Sequence, residues 1–241
     1  MGIEGLKVDA INSKVAQYWS VSVTEETSST QIDLTKNFQP GRVLVAEYQT
    51  NGRGRLDRKF EVPPRKGLTF SFSVNLEKNI EKDFSWIPLI TGLAVARAIN
   101  KYVGEDLVEI KWPNDLLIEG KKLAGILSEK VGTGAVVGVG INIFQSQAEL
   151  PIENAISLSM KTEVDRTELL IIILNELGEL LSDVEGFKNI YRDECKTIGK
   201  TIAATLPTGE IIQEKAIGIS ETGSLLLESR EISVGDIVHL R

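Results

Sequence analysis

Hydrophobic positions along this chain repeat with two different periods. Short runs in which apolar residues alternate with polar ones, or stand together for a few positions, occur at residues 42–48, 68–74, 108–111, 115–118, 122–128 and 135–143. Each is bounded by Gly, Pro or Asn, and together they predict strands. Helical spacing predicts helices over residues 29–38, with Ser29 or Thr30 at the N-cap, and over 84–102, with Trp86, Leu89, Ile90, Leu93 and Ala96 on one side. Two further helices are predicted over 166–181 and 187–195. The runs at 115–118 and 122–128 flank Glu119-Gly120 and read as a hairpin. Strands and helices interleave irregularly, which predicts an α+β fold with a mixed or mainly antiparallel sheet rather than a regular doubly wound one. From Thr197 the texture changes to short β-type runs at 201–206, 211–219, 224–227 and 237–240, separated by Gly-containing turns. That pattern predicts a small β-barrel of about 45 residues, too small to be very stable alone and therefore docked on the larger part. The expected division is residues 1–195 and 196–241.

Composition narrows the function classes. Of 241 residues, 42% are hydrophobic and 25% charged, as in ordinary globular proteins, so a disordered or fibrous chain is excluded. Lys and Arg number 27 against 34 Asp and Glu, a net charge of −7. Affinity for nucleic acid comes mostly from neutralising phosphates, so binding through overall charge is disfavoured. One Cys and one His leave no internal disulfide and none of the usual zinc clusters. A Ser-His-Asp or Cys-His mechanism would have to rest on His239, close to the C-terminus. The first residues lack the basic start and apolar core of a signal peptide, and Leu6 stands where a myristoylation pattern needs Ser or Thr. The longest unbroken apolar run, 169–174, is far short of the roughly 20 residues that span a bilayer. A cytoplasmic protein without membrane attachment is expected.

Four segments carry candidate chemistry. Residues 49–60, Gln-Thr-Asn-Gly-Arg-Gly-Arg-Leu-Asp-Arg-Lys-Phe, open a stretch in which Arg53, Arg55, Arg58, Lys59, Arg65 and Lys66 face only Asp57 and Glu61, a local excess of +4. Gly52 and Gly54 allow backbone N–H groups to turn around an anion, although a solvated basic loop reads the same way. In Lys111-Trp112-Pro113-Asn114-Asp115 the proline breaks the strand, leaving Asn114 and Asp115 at a turn, either to cap it or to face a ligand. Simple alternation along 122–127 places Lys122 with Ala124 and Ile126, opposite Leu123, Gly125 and Leu127. Such a lysine either snorkels or points at an anion in a cleft. Gly138-Val139-Gly140-Ile141-Asn142 is neither a P-loop nor a dinucleotide fingerprint, but two close glycines in a strand make room for a flat ligand beside the Asn142 amide.

In this order the segments resemble the biotin protein ligases. That family carries Ser-Thr-Asn near the first helix, a Gln after a strand, a Gly-Arg-Gly-Arg-x-Gly-Arg-x-Trp loop, Lys-Trp-Pro-Asn-Asp, a Lys-Leu-Ala-Gly-Ile strand and Gly-x-Gly-x-Asn. The corresponding residues are Ser29-Thr30-Gln31, Gln49, Gly52 to Arg58, Lys111 to Asp115, Lys122 to Ile126, and Gly138 to Asn142. Three positions depart: Gln31 replaces Asn, Asp57 replaces the later loop Gly, and Phe60 replaces Trp. The stretch before Ser29 is too short for a helix-turn-helix, so the resemblance implies the short type without specific DNA binding.

The resemblance implies a mixed-sheet catalytic domain with a C-terminal SH3-like β-barrel, and an ATP-dependent ligase. Such an enzyme makes biotinyl-5′-AMP and transfers the biotinyl group to a lysine of a biotin carboxyl carrier protein or domain. It implies ATP and biotin as substrates, Mg²⁺, and a homodimer. Lys122, Arg53 and Arg55 become the expected catalytic residues. Ser29, Thr30, Gln31, Gln49, Gly54, Gly125 and Gly138, with those three cations, are expected around biotin, and Trp112 or Leu123 as its apolar wall. Arg58, Lys111, Asn114, Asp115 and Asn142, with Arg53 and Lys122, are expected around ATP. Alternative readings are a lipoate- or octanoate-protein ligase of related fold, an Arg/Gly-loop nucleic-acid-binding protein, and a biotin binder without catalysis.

Overall fold

The computed structural model describes residues 3–55, 58–75 and 84–240. A short helix α1 (Val8–Asn12) leads into strand β1 (Ser20–Thr24), helix α2 (Thr30–Lys36), strands β2 (Arg42–Ala46) and β3 (Gly67–Asn75), and helix α3 (Ile87–Val103). Strands β4 (Glu109–Lys111), β5 (Asp115–Ile118), β6 (Lys121–Val131) and β7 (Gly134–Asn142) follow, then helices α4 (Arg166–Ser182) and α5 (Val184–Glu194). The seven strands form one sheet in the order β1-β2-β3-β7-β6-β5-β4. Only β1 and β2 run parallel; the other neighbours are antiparallel. The mixed sheet and α+β class agree with the hydrophobic pattern. Strand β1 is an addition to it, although its Ser-Val alternation is the mark of a half-buried edge strand.

The β5–β6 hairpin turns on Glu119 (φ 51°) and Gly120 (φ 76°), two left-handed residues in the turn whose twist matches paired strands. Helix α3 departs from its expected single apolar side: Ile87, Leu89 to Ala96, Ala98 and Ile99 are all buried. It lies between the sheet on one side and α4 and α5 on the other, so it has almost no solvent face to keep polar. Helix α4 starts on Asp165, whose carboxylate accepts from the Thr167 and Glu168 amides. Its Leu169, Leu170, Ile173, Leu174 and Leu177 complete the core.

One ion pair runs through this core. Arg166 Nη1 lies 2.6 Å from Glu47 Oε2, with the two side chains 3% and 2% exposed. The same guanidinium donates to the carbonyls of Gly67 and Glu4, and Glu47 Oε1 accepts the Leu6 amide at 2.7 Å. Every charge is matched, which a buried pair requires.

After α5 the chain forms an antiparallel sheet from β8 (Thr201–Thr205), β9 (Ile211–Ile219), β10 (Leu225–Leu227), β11 (Glu231–Ile232) and β12 (Asp236–His239), ordered β11-β10-β9-β8-β12. It docks on the larger part through hydrogen bonds from two tryptophans. Trp112 donates its amide to Thr197 Oγ1 and its indole N–H to the Gly223 carbonyl, and the Trp86 indole donates to Glu221. Thr197 Oγ1 in turn meets His239 Nε2 at 3.0 Å. Burial, with Lys200 and Lys111 nearby, holds the His239 pKa down to about 4.

Two expectations follow for stability. Glu47→Ala leaves a buried guanidinium without its counter-ion and should cost about 3–5 kcal/mol, read as a lowered urea midpoint. His239 takes up a proton in the unfolded chain near its ordinary value of 6.5 but in the folded chain only near 4. Stability should therefore fall as pH drops from about 6.5, with the loss complete near 4. His239→Gln should flatten that slope between pH 6.5 and 5, where carboxylates have barely begun to titrate; an identical melting-temperature profile in the variant would contradict the assignment.

Candidate active site

A cavity of about 290 Å³ opens on the face of β3, β6 and β7, between the start of α2, the loop after Tyr48 and the C-terminal sheet. At its inner end is a polar niche. Ser29 stands at the N-cap of α2 but makes no capping bond with its side chain. Gln49 caps instead, its Oε1 accepting the Thr30 amide at 2.8 Å and the Thr30 hydroxyl at 3.1 Å. The Thr30 hydroxyl lies 2.8 Å from Ser71 Oγ, which donates to Gln31 Oε1. Gln31 Nε2 donates to the Val136 carbonyl and to Glu129 Oε2. All of Ser29, Thr30, Gln31 and Ser71 are buried. The glycines of β7 keep this floor flat. A Cβ at Gly138 would lie 2.8 Å from Gln31 Oε1, and one at Gly140 would lie 2.5 Å from the Phe60 ring, which rests on the strand.

Cations line the outer part. The loop closes on itself through Gly54 N–H to the Arg58 carbonyl and Phe60 N–H to the Gly52 carbonyl. Its arginines each reach a different wall: Arg53 pairs with Glu129 at 3.0 Å, Arg55 donates to Asn114 Oδ1 at 2.6 Å, and Arg58 pairs with Asp236. Burial lowers the Arg55 pKa from its ordinary value, while Asp236 and Asp115 oppose that shift and favour the charged form. Asn114 is pinned to β6 by its Nδ2 to the Ile126 carbonyl and by the Ile126 amide to its own carbonyl, so it both shapes the turn and faces the cavity.

Lys122 corrects the alternation read from the sequence. Leu116 pairs with Ala124 and Leu117 with Lys122, so Leu123 is an extra residue in β6 and the alternation slips. The Lys122 side chain therefore shares the face of Gly125, where a Cβ would stand 3.4 Å from Lys122 Cε, and not that of Ala124 and Ile126. Its Nζ lies 2.5 Å from Asp115 Oδ1 inside the cavity.

Of the candidate residues, Ser29, Thr30, Gln31, Gln49, Arg53, Gly54, Arg55, Arg58, Asn114, Asp115, Lys122, Gly125, Gly138 and Asn142 all line this one cavity. Lys111 does not; it sits behind Asp115 at 3.5 Å. Trp112 does not either, being turned toward the C-terminal sheet, whereas Leu123 does form part of the wall. The Asn142 amide donates to the carbonyls of Lys122 and Ile156 and accepts from Gln145, so it fixes the backbone beneath Lys122. Asp57 lies outside the described residues. Ser71 and Asp236 line the cavity without having been singled out from the sequence. A serine between Phe70 and Phe72 in an apolar strand was a usable signal for the first; Asp236 had none, because only the docking of the second sheet brings it here.

Fold and site together define a mixed-sheet enzyme whose cavity joins a buried niche of amides and hydroxyls to a rim of cations. The family model described as the biotin/lipoate A/B protein ligase family matches residues 20–144, and the chain belongs to that family. It is 32% identical over 240 residues to a biotin–[acetyl-CoA-carboxylase] ligase of Mycobacterium tuberculosis, covering 92% of this chain and 89% of that one. It is also 32% identical over 221 residues to the bifunctional ligase/repressor BirA of Escherichia coli, covering 86% of this chain and 67% of that protein. Among solved structures, the biotin protein ligase from Aquifex aeolicus in complex with biotin and ATP superposes with a TM-score of 0.77 at 31% identity, covering 92% of this chain and 98% of the other.

Proposed function

We propose that this chain is an ATP-dependent biotin ligase, which activates biotin as biotinyl-5′-AMP and passes the biotinyl group to a lysine of a biotin carboxyl carrier protein or domain. The observation that carries the reading is continuity: the buried amide-and-hydroxyl niche of Thr30, Gln31, Gln49 and Ser71 opens directly onto Lys122 and the arginines of the loop. A ureido ring has both donors and acceptors for such a niche, and a valeryl arm carries its carboxylate toward the cations. The dithiolane or plain acyl chain of lipoate or octanoate offers no such groups. Such a ligand would gain no hydrogen bond from the niche, whose groups would stay paired with one another. A nucleic-acid reading is disfavoured because the loop arginines are turned into the cavity and matched to this chain's own partners.

The first step brings a carboxylate against the α-phosphate of ATP. Two anions about 4 Å apart repel by about 4 kcal/mol at the effective dielectric of a protein surface. Lys122 and Arg55, with Arg53 and Arg58 on the same loop, supply fixed positive charge against that repulsion and against the charge that develops on the phosphate. The Lys111–Asp115–Lys122 cluster keeps the Lys122 ammonium in place until an anion exchanges for Asp115. Pyrophosphate leaves with the bridging oxygen, and the carboxylate oxygen becomes bonded to phosphorus. A carrier lysine amine then attacks the acyl carbon and expels AMP. The mixed anhydride must be shielded from water between the steps, a task suited to the loop over the cavity.

Among the described residues there is no group of three or more His, Cys, Asp or Glu fit to hold a metal by themselves. Mg²⁺ would therefore be held mainly by nucleotide phosphates, as is usual for this ion, and would offset charge on the departing pyrophosphate. A cytoplasmic homodimer that does not bind duplex DNA specifically belongs to the same reading and rests on the family resemblance. No described helix is long and apolar enough to cross a membrane.

The deciding measurement is exchange of labelled pyrophosphate into ATP. It should depend on biotin and not respond to lipoate; lipoate-driven exchange, or none, would sink the reading. Lys122→Ala should lower the exchange rate by about 100- to 1,000-fold with the fold retained, and near-normal exchange would reduce Lys122 to a structural lysine. Arg55→Gly removes the contact to Asn114 that ties the loop down and enlarges the loop's open ensemble. The variant should still form the adenylate, release it faster, and label bystander proteins; carrier-only labelling with slow release would contradict the clamp.

A further inference from the structure

We infer that Glu129, on β6 and outside the cavity wall, is a positioning residue that joins the cationic loop to the ligand niche and sets which way the niche amide faces. The inference concerns how the proposed ligase site is held together, and so its kinetic readout rests on that reading.

The contacts form an unbroken chain. Arg53 Nη1 meets Glu129 Oε1 at 3.0 Å, and the other carboxylate oxygen, Oε2, accepts from Gln31 Nε2 at 3.1 Å. Gln31 Oε1 then accepts from Ser71, and Ser71 meets Thr30, which is bonded to Gln49. Glu129 links the loop at Arg53 to the niche, alongside Gln49 at the start of the loop. It stands opposite Val136 in the β6–β7 register, so its carboxylate and the Val136 carbonyl approach the same amide nitrogen.

That arrangement has a chemical consequence. A glutamine amide has two N–H donors and one acceptor oxygen. With Glu129 and Val136 both accepting, both donors are used and the oxygen is forced toward Ser71 and Gly138. Without Glu129 the Val136 carbonyl alone opposes a flip of the amide, and the second N–H has no acceptor. A flipped amide would turn an acceptor on the wall into a donor, the wrong partner for a ligand N–H, while the Ser71 hydroxyl can serve either way. The longer side chain at position 31, Gln where the resembling family has Asn, is what reaches across to β6.

Arg53 gains as well. Its side chain is 42% exposed and that of Glu129 30%, so the pair adds little to global stability. Its effect is local, since a loop tethered at Arg53 cannot swing independently of α2. Removing the carboxylate should therefore leave the fold intact and loosen the loop.

The test compares the wild type with Glu129→Ala and Glu129→Gln, using hydrogen exchange at the Gly54 and Phe60 amides, which close the loop, together with the KM for biotin. Glu129→Ala should speed exchange at both amides several-fold while the melting temperature stays put. It should raise the biotin KM about fivefold, the worth of one net hydrogen bond. Glu129→Gln should fall between, and it carries the test if the alanine variant fails to fold. Combining Glu129→Ala with Arg53→Ala should speed loop exchange no further than the worse single variant, because the tether is their shared ion pair. Loop exchange unchanged in a folded variant, or exchange effects that multiply in the double variant, would overturn the inference. A wild type without biotin-dependent pyrophosphate exchange would overturn the ligase reading instead, and hydrogen exchange at the loop would still decide the role of Glu129.

Discussion

The buried pair of Glu47 and Arg166 governs how the site can be arranged. Arg166 holds the Glu47 carboxylate just after β2 and the Gly67 carbonyl at the start of β3. Those two points are the ends of the basic segment that arches over the cavity. One guanidinium, rooted in the first turn of α4, thus staples both feet of the loop to the core. The entropy of a loop depends on how freely its ends are placed as well as on its length. With the feet fixed, the remaining freedom is confined to the arch, where the chemistry requires it.

The arch itself has to meet a conflicting demand. Several cations must stand close enough to act on the same pair of anions, yet they repel each other in the ligand-free protein. Each is balanced locally: Arg53 by Glu129, Arg58 by Asp236, Lys122 by Asp115, with Asn114 accepting from Arg55. These partners come from different elements, so the charges are spread around the rim instead of collecting on one strand. In the proposed reaction an incoming carboxylate or phosphate would exchange one anionic partner for another, and preorganised charge of that kind needs little rearrangement at the moment of reaction.

Much of this was legible in the residues because the relevant signals are local. The apolar spacing of α4, the Glu119-Gly120 turn and the breaks at Pro113 each follow from interactions a few positions apart. The site was legible for a different reason: its polar and glycine positions recur in an order that resembles a family. What escaped depended on geometry beyond a single element. The extra residue at Leu123 turned Lys122 to the opposite face from the one alternation assigns. Trp112 looked like a ligand wall, but the second sheet claims its indole N–H. The near-complete burial of α3 was readable in residues 87–96, which carry no charge, but the single apolar side assigned to the helix left no place for α4 and α5 on its other face. Ser71 was hidden among apolar neighbours, and Asp236 sits far along the chain from every motif.

The position of Asp236 also orders events during synthesis. The niche, the arginine loop and Lys122 all leave the ribosome well before β12 does, and the large sheet has all its strands by Asn142. A nascent chain can therefore bury its core while Arg58 has yet to meet its carboxylate. The rim of the cavity closes last, once β12 has emerged and docked.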